Sequence, residues 1–173
     1  MSTEYKLQYQ LFPRSFGMTP EILDVIRCFE KNYEQIKSPD HKLSSDGVLK
    51  IISDDLKLLH FKVEESKASE DKIKIPVLFG INNRIDKFFD ADAVSSDWKI
   101  VLEVEAGRAY ANNQFLKDIF QACMMPSIDY LMLAVRNKYR DVNDFDKIFQ
   151  FIETLYINGR LQLPLKGIVL IGY

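Results

Sequence analysis

The run Tyr130-Leu131-Met132-Leu133-Ala134-Val135 is apolar at every position. A strand with one wet face alternates apolar and polar residues, so a run without polar alternates demands a sheet covered on both sides. A second short run of this kind, Ile168 to Ile171, is bracketed by Gly167 and Gly172 near the end of the sequence. Both runs need helices packed above and below them. A length of 173 residues suits one such core, and the expectation is a single domain over residues 1–173.

Helical segments are legible from caps and spacing. Thr19-Pro20-Glu21 supplies a capping hydroxyl, a proline at the first helical position and an acid in the first turn. Ile22, Val25, Ile26, Phe29, Tyr33 and Ile36 then recur at helical spacing. After a break at Ser38-Pro39-Asp40, Ser44-Ser45-Asp46 restarts a helix carrying Val48, Ile51, Ile52 and Leu56. Leu59, Phe61 and Val63 alternate as a first strand, and Glu64 to Lys72 reads as a charged turn. Ile73 to Phe79 is the next strand, with Pro76 limiting it to an edge or a strand end. Asn113 to Met125, stopped by Pro126, and Asp144 to Tyr156, ended near Asn158-Gly159, complete the helices. The order predicts an α/β fold with a mixed central sheet flanked by helices.

Between these elements, Arg84 to Val94 and Trp98 to Glu105 read as the arms of a hairpin turning at Ser95-Ser96-Asp97. Asp86, Phe88, Asp90, Asp92 and Val94 share one parity on the first arm, and Lys99, Val101, Glu103 and Glu105 share one on the second. Side chains alternate across a strand, so each set faces one way while Ile100, Leu102 and Val104 face the other. Solvent-facing strands also carry acids, but the apolar residues flanking Glu103 and Glu105 mark a central strand. Carboxylates crowded there repel one another and lose solvation unless a cation compensates. A hard divalent ion with oxygen ligands, most simply Mg²⁺, meets that requirement.

Composition excludes several other classes. Twenty-three Lys plus Arg against 25 Asp plus Glu leave a formal charge of -2, so contact with nucleic acid has to come from a local basic surface. Cys28 and Cys123 lie far apart in helical, apolar stretches, which fits reduced thiols in the cytoplasm rather than a disulfide framework or a zinc site. Met1 to Gln10 lacks the apolar core of a signal peptide, and no run approaches the roughly 20 residues of a membrane span. His41 and His60 have no acid, Cys or His at ligand spacing, and nucleophile-elbow, Walker and GxGxxG motifs are missing.

Arg84-Ile85-Asp86 leading into the hairpin, then Val101-Leu102-Glu103-Val104-Glu105-Ala106-Gly107-Arg108 and a helix beginning Asn112-Asn113, resemble the PD-(D/E)xK nuclease core. The variant is that of the BamHI-type and BglII-type restriction endonucleases. The resemblance runs from about Leu59 to Val135 in element order, and the two N-terminal helices are of the kind such nucleases place before their sheet. It implies a restriction-endonuclease-like core in which an acid on the first arm and an acid-x-lysine pair on the second hold Mg²⁺ or Mn²⁺ and activate water. In these variants Glu or Gln replaces the lysine.

Carried over, the resemblance makes Asp86 or Asp90 the first acid, Glu103 the second and Glu105 the residue in the lysine position, with the Val104 carbonyl as a further metal ligand. The two first-acid candidates stand 17 and 13 residues before Glu103, and neither follows a proline. Asp86 matches better, because Ile-Asp is followed there by aromatic residues. Arg108 and Lys117 are candidates for phosphate binding. The implied activity is Mg²⁺-dependent hydrolysis of double-stranded DNA to 5′-phosphate and 3′-hydroxyl ends, with a two-fold homodimer if a palindrome is cut. The alternative is a non-catalytic interaction module on the same scaffold, such as a subunit of a defence complex; affinity for a divalent ion separates the two.

Overall fold

A computed structural model of the chain describes residues 6–38, 40–66, 68 and 71–173. Its elements are β1 (Gln8–Phe12), α1 (Pro20–Ile36), α2 (Ser45–Leu58), β2 (Lys62–Val63), β3 (Ile73–Phe79), β4 (Ile85–Ala91), β5 (Ala93–Val94), β6 (Ile100–Glu105), α3 (Gln114–Met124), β7 (Tyr130–Val135), α4 (Asp144–Asn158) and β8 (Gly167–Gly172). Six strands form one sheet in the order β1-β8-β7-β6-β5-β2, and β3 pairs with β4 in a separate two-stranded ribbon. The fold is mixed α/β with helices on both faces of the sheet, as the apolar runs require.

The parallel strands β6, β7 and β8 form the middle of this sheet, with Val101 opposite Leu131 and Leu131 opposite Ile168. Parallel neighbours need long crossovers, and α3 and α4 supply them. Leu102, Val104, Met132, Ala134, Val169 and Ile171 pack beneath α1 and α2. The alternate residues Val101, Leu131, Leu133, Val135, Ile168 and Leu170 pack beneath α3 and α4. Both faces are therefore dry, which is why these strands carry no polar alternates. Leu133 is fully buried. Leu133→Ala is expected to cost about 3 kcal/mol, read as a lower urea midpoint at unchanged slope.

The helix caps fall where the sequence puts them. Thr19 Oγ1 accepts from the Ile22 amide at 3.4 Å and Ser44 Oγ from the Gly47 amide at 3.1 Å. Helix α4 stops at Gly159, whose φ of +67° belongs to the left-handed region that glycine enters without strain. Cys28 and Cys123 are both free thiols. Among the described residues no helix is long and apolar enough to cross a membrane.

Three departures matter. Strand β1 was not expected, because a lone edge strand beside a Pro-containing turn has little periodicity of its own; it pairs antiparallel with β8. The strand expected from Leu59 shortens to two residues, since α2 runs on to Leu58 and His60 turns the chain with φ +63°. Pro39 in the expected helix break, Met1 to Tyr5 at the N-terminus and Lys67, Ser69 and Glu70 in the charged turn lie outside the described residues.

The third departure moves the acids. The first arm of the expected hairpin is divided: Ile85–Ala91 pairs with Ile73–Phe79, and only Ala93–Val94 pairs with β6. The ribbon closes locally through Asn82 and Asn83, both at φ +59°, a conformation asparagine tolerates better than most residues. A short local closure costs little chain entropy, so β4 is captured by β3 rather than by β6. Asp92 stands at the bend where the chain leaves the ribbon and enters the sheet.

Candidate functional site

The turn at Ser95 fixes the position of the acids. Ser95 Oγ accepts from the amides of Lys99 at 3.1 Å and Ile100 at 2.9 Å, and its carbonyl accepts from Trp98. With the turn pinned, Val94 pairs with Val101 and Ala93 with Leu102. One step further along the same antiparallel register, Asp92 meets Glu103. The contact is anchored through the backbone: the Val104 amide donates to Asp92 Oδ2 at 2.8 Å, and the Glu64 amide donates to the Asp92 carbonyl at 2.8 Å.

Glu103 and Glu105 lie on the side of the sheet covered by α3, where Val101 belongs to the apolar core. Opposite them α3 carries Lys117, Asp118 and Gln121. The result is a cleft of about 390 Å³ lined by Asp46, Glu64, Asp90, Asp92, Glu103, Glu105 and Asp118, with Lys72 and Lys117 as its only cations among the described residues. Lys72 is engaged at the rim, 2.7 Å from Asp90.

This density of carboxylates has electrostatic consequences. Burial holds the Glu103 carboxyl well above the ordinary range, and the charges of Asp92, Asp118 and Glu105 push it further, against Lys117. Burial also raises Asp118 to about 8, helped by the charge of Glu105 and a carboxyl-carboxyl hydrogen bond to it. These causes favour the protonated form of Asp118 beside Glu105. Its Oδ2 is buried without a hydrogen-bond partner. Glu64 is raised too, first by burial and then by Asp92.

The residues singled out from the sequence separate into groups. Glu103, Val104, Glu105 and Lys117 line the cleft, with Val104 held in the strand ladder. Asp90 reaches the rim and is ion-paired there. Asp86 is a correction: it sits exposed on the separate ribbon, 3.1 Å from Arg84 Nε, and does not line the cleft. Capture of β4 by β3 carries it away from β6. Arg108 borders a different cleft, beyond the end of β6. His41 bonds the Glu34 carbonyl at 2.8 Å, and neither histidine lines the acidic cleft.

Asp92 is the residue that parity alone did not single out. The signal for it is the tight turn: counting outward from Ser95-Ser96-Asp97 pairs Asp92, not Asp86 or Asp90, with Glu103. Asp118, Gln121 and Glu64 come from other elements and carry no local signal.

Among the described residues no three His, Cys, Asp or Glu side chains stand in a ready-made metal-binding group. Mg²⁺, however, keeps several waters and takes one or two carboxylates, completing its octahedron with phosphate oxygens. Asp92 at the bend before β5, Glu103 on β6 and the buried Asp118 Oδ2 are oxygen donors of the kind such an ion takes. Searches against protein-family models and curated proteins find no match for this chain.

Proposed function

We propose that this chain is a Mg²⁺-dependent DNA endonuclease of restriction type, acting on double-stranded DNA. One observation supports the reading above the others: Asp92, at the bend before β5, is held against β6 by the Val104 amide and lines one acidic cleft with Glu103, Glu105 and Lys117. The arrangement resembles the PD-(D/E)xK pattern with Glu in the lysine position, with Asp92 as the first acid in place of Asp86 or Asp90.

Asp92 and Glu103 would hold the ion, and the Val104 amide orients Asp92 by its hydrogen bond. When bound, Mg²⁺ supplies charge stabilisation at the scissile phosphate and a more acidic water. Glu105 orients that water and accepts its proton. The hydrogen bond from Asp118 fixes the Glu105 carboxylate. Lys117, exposed on the first turns of α3, meets the non-bridging phosphate oxygens. Water would attack phosphorus, the bond to the 3′ oxygen would break with that oxygen taking a proton from solvent water, and the strands would end in 5′-phosphate and 3′-hydroxyl. Symmetric cutting of a palindrome would need two copies related by a two-fold axis.

The non-catalytic alternative draws on the raised Asp118 carboxyl, whose protonated form relieves the cleft without a metal. Calorimetric titration with Mn²⁺ separates the two readings: the endonuclease binds the ion with millimolar or tighter affinity, and the interaction module gives no heat.

The shifted first acid has its own test. Asp92→Asn is expected to slow divalent-dependent plasmid cleavage at least about tenfold, whereas Asp86→Asn leaves the rate within about twofold of wild type. The reverse ranking would return the first-acid role to Asp86.

A further inference from the structure

A second cleft of about 690 Å³ opens beside the acidic one and has the opposite character. Lys42, Arg108, Arg136, Lys138 and Arg140 converge on it, with Asp141 as the acid of its lining among the described residues. None of these five cations forms an ion pair with a described residue. Cations gathered around one hollow repel each other, and an anion between them reverses the sign of that energy.

The cleft is built rather than incidental. Arg136 is buried and donates Nη2 to the Leu43 carbonyl at 2.5 Å. Its guanidinium lies 5.5 Å from the Tyr139 ring centre, and that of Arg140 lies 5.3 Å from the same ring. The ring rests against Gly107, where a Cβ would come within 2.8 Å of Tyr139 Cε2 and where φ is +149°. Only glycine admits both the ring and that backbone. A turn closed by amide-carbonyl bonds between Tyr139 and Val142 presents Arg140.

The two clefts meet at two points of the chain. Ser44 lines the basic cleft and Ser45 the acidic one; Ala106 lines the basic cleft and Glu105 the acidic one. Arg108 is three residues beyond Glu105, a reach of at most about 10 Å, or roughly three base-pair rises of about 3.4 Å. The contiguity of the two clefts suits a ligand that extends from one into the other.

We infer that this basic cleft binds the phosphate backbone of duplex DNA, holding the strand a few nucleotides from the phosphate that enters the acidic cleft. The inference deepens the endonuclease reading and rests on it for the position of the scissile phosphate. The Arg136-Tyr139-Arg140 stack sets the guanidinium planes in advance, so little side-chain entropy is lost on binding. Contacts of this kind position the duplex without reading its sequence.

The test is fluorescence anisotropy with a 24-base-pair labelled duplex in EDTA, where nothing is cut, over a series of salt concentrations. Arg108→Gln/Arg140→Gln is expected to weaken binding at least about tenfold and to reduce the slope of log K against log salt by about 1.8, equally for two unrelated sequences. Arg108→Lys/Arg140→Lys keeps the charge and is expected to keep the slope; thermal melting verifies that both variants fold. Unchanged affinity and slope in the glutamine variant overturn the inference, as does failure of the wild-type chain to bind the duplex. Tenfold tighter binding of duplex RNA through the same arginines overturns the assignment to DNA. A wild-type chain that binds through this cleft yet cuts nothing with Mg²⁺ or Mn²⁺ leaves the cleft standing and removes the endonuclease reading. Cleavage with normal binding by the glutamine variant does the reverse.

Discussion

In Glu103→Gln, divalent-dependent cleavage of duplex DNA is expected to fall at least about a hundredfold while the fold survives. The substitution keeps the size of the side chain and removes only its charge. If Glu103 is a metal ligand, that charge is worth several kcal/mol in the transition state, and a hundredfold corresponds to about 2.7 kcal/mol. Stability moves the other way. Glu103 is pushed well above its ordinary range by burial and by Asp92, Asp118 and Glu105, so an amide relieves repulsion in the metal-free protein. The variant is expected to melt in EDTA at the wild-type temperature or a few degrees above it. A variant that loses activity because it melts several degrees lower would assign Glu103 a structural role instead.

The second large effect is on stability against pH. Asp118 titrates near 8 in the folded protein, against an ordinary value of 3.8. Between those values the folded chain holds a proton that the unfolded chain has released, so the stability of the metal-free protein falls as pH rises through this window. One such proton gives a slope of about 1.4 kcal/mol per pH unit, and the raised Glu103 acts in the same direction. Urea unfolding in EDTA is therefore expected to show a loss of several kcal/mol between about pH 4.5 and pH 8. Asp118→Asn, which removes one of these two raised carboxyls, makes the curve shallower and is more stable than wild type at pH 8. Equal pH profiles for the two chains would mean that the Asp118 carboxyl is not raised in the folded protein. Added Mg²⁺ is expected to restore wild-type stability most at pH 8, where the carboxylates are most fully charged.

What the sequence revealed follows the range of the interactions involved. Tyr130 to Val135 and Ile168 to Ile171 betray their burial residue by residue, because each position reports its own solvent exposure. Thr19 and Ser44 mark helix starts because a cap acts within one turn. Glu103 and Glu105 stand out because two acids among apolar neighbours contradict the local pattern. The partner of Glu103 was harder to read. Asp86, Asp90 and Asp92 share a parity, and choosing among them requires knowing where β4 ends and β5 begins. A competition between two pairing partners decides that boundary, and only the short turn at Ser95 carried its trace. Asp118 and Gln121 reach the cleft through the packing of α3 on the sheet, and Arg136 and Arg140 reach the basic cleft through β7. Pairings that arise from crossover topology leave no mark at the residues themselves.

The central claim is that the acidic cleft cuts DNA with a divalent ion, and incubating the wild-type chain with supercoiled plasmid tests it most directly. With 5 mM Mg²⁺ or Mn²⁺, nicked and linear products bearing 5′-phosphates that ligase can reseal are expected, and EDTA abolishes them. An intact plasmid with either ion, across plasmid and genomic substrates, would contradict the account and leave the non-catalytic module in its place.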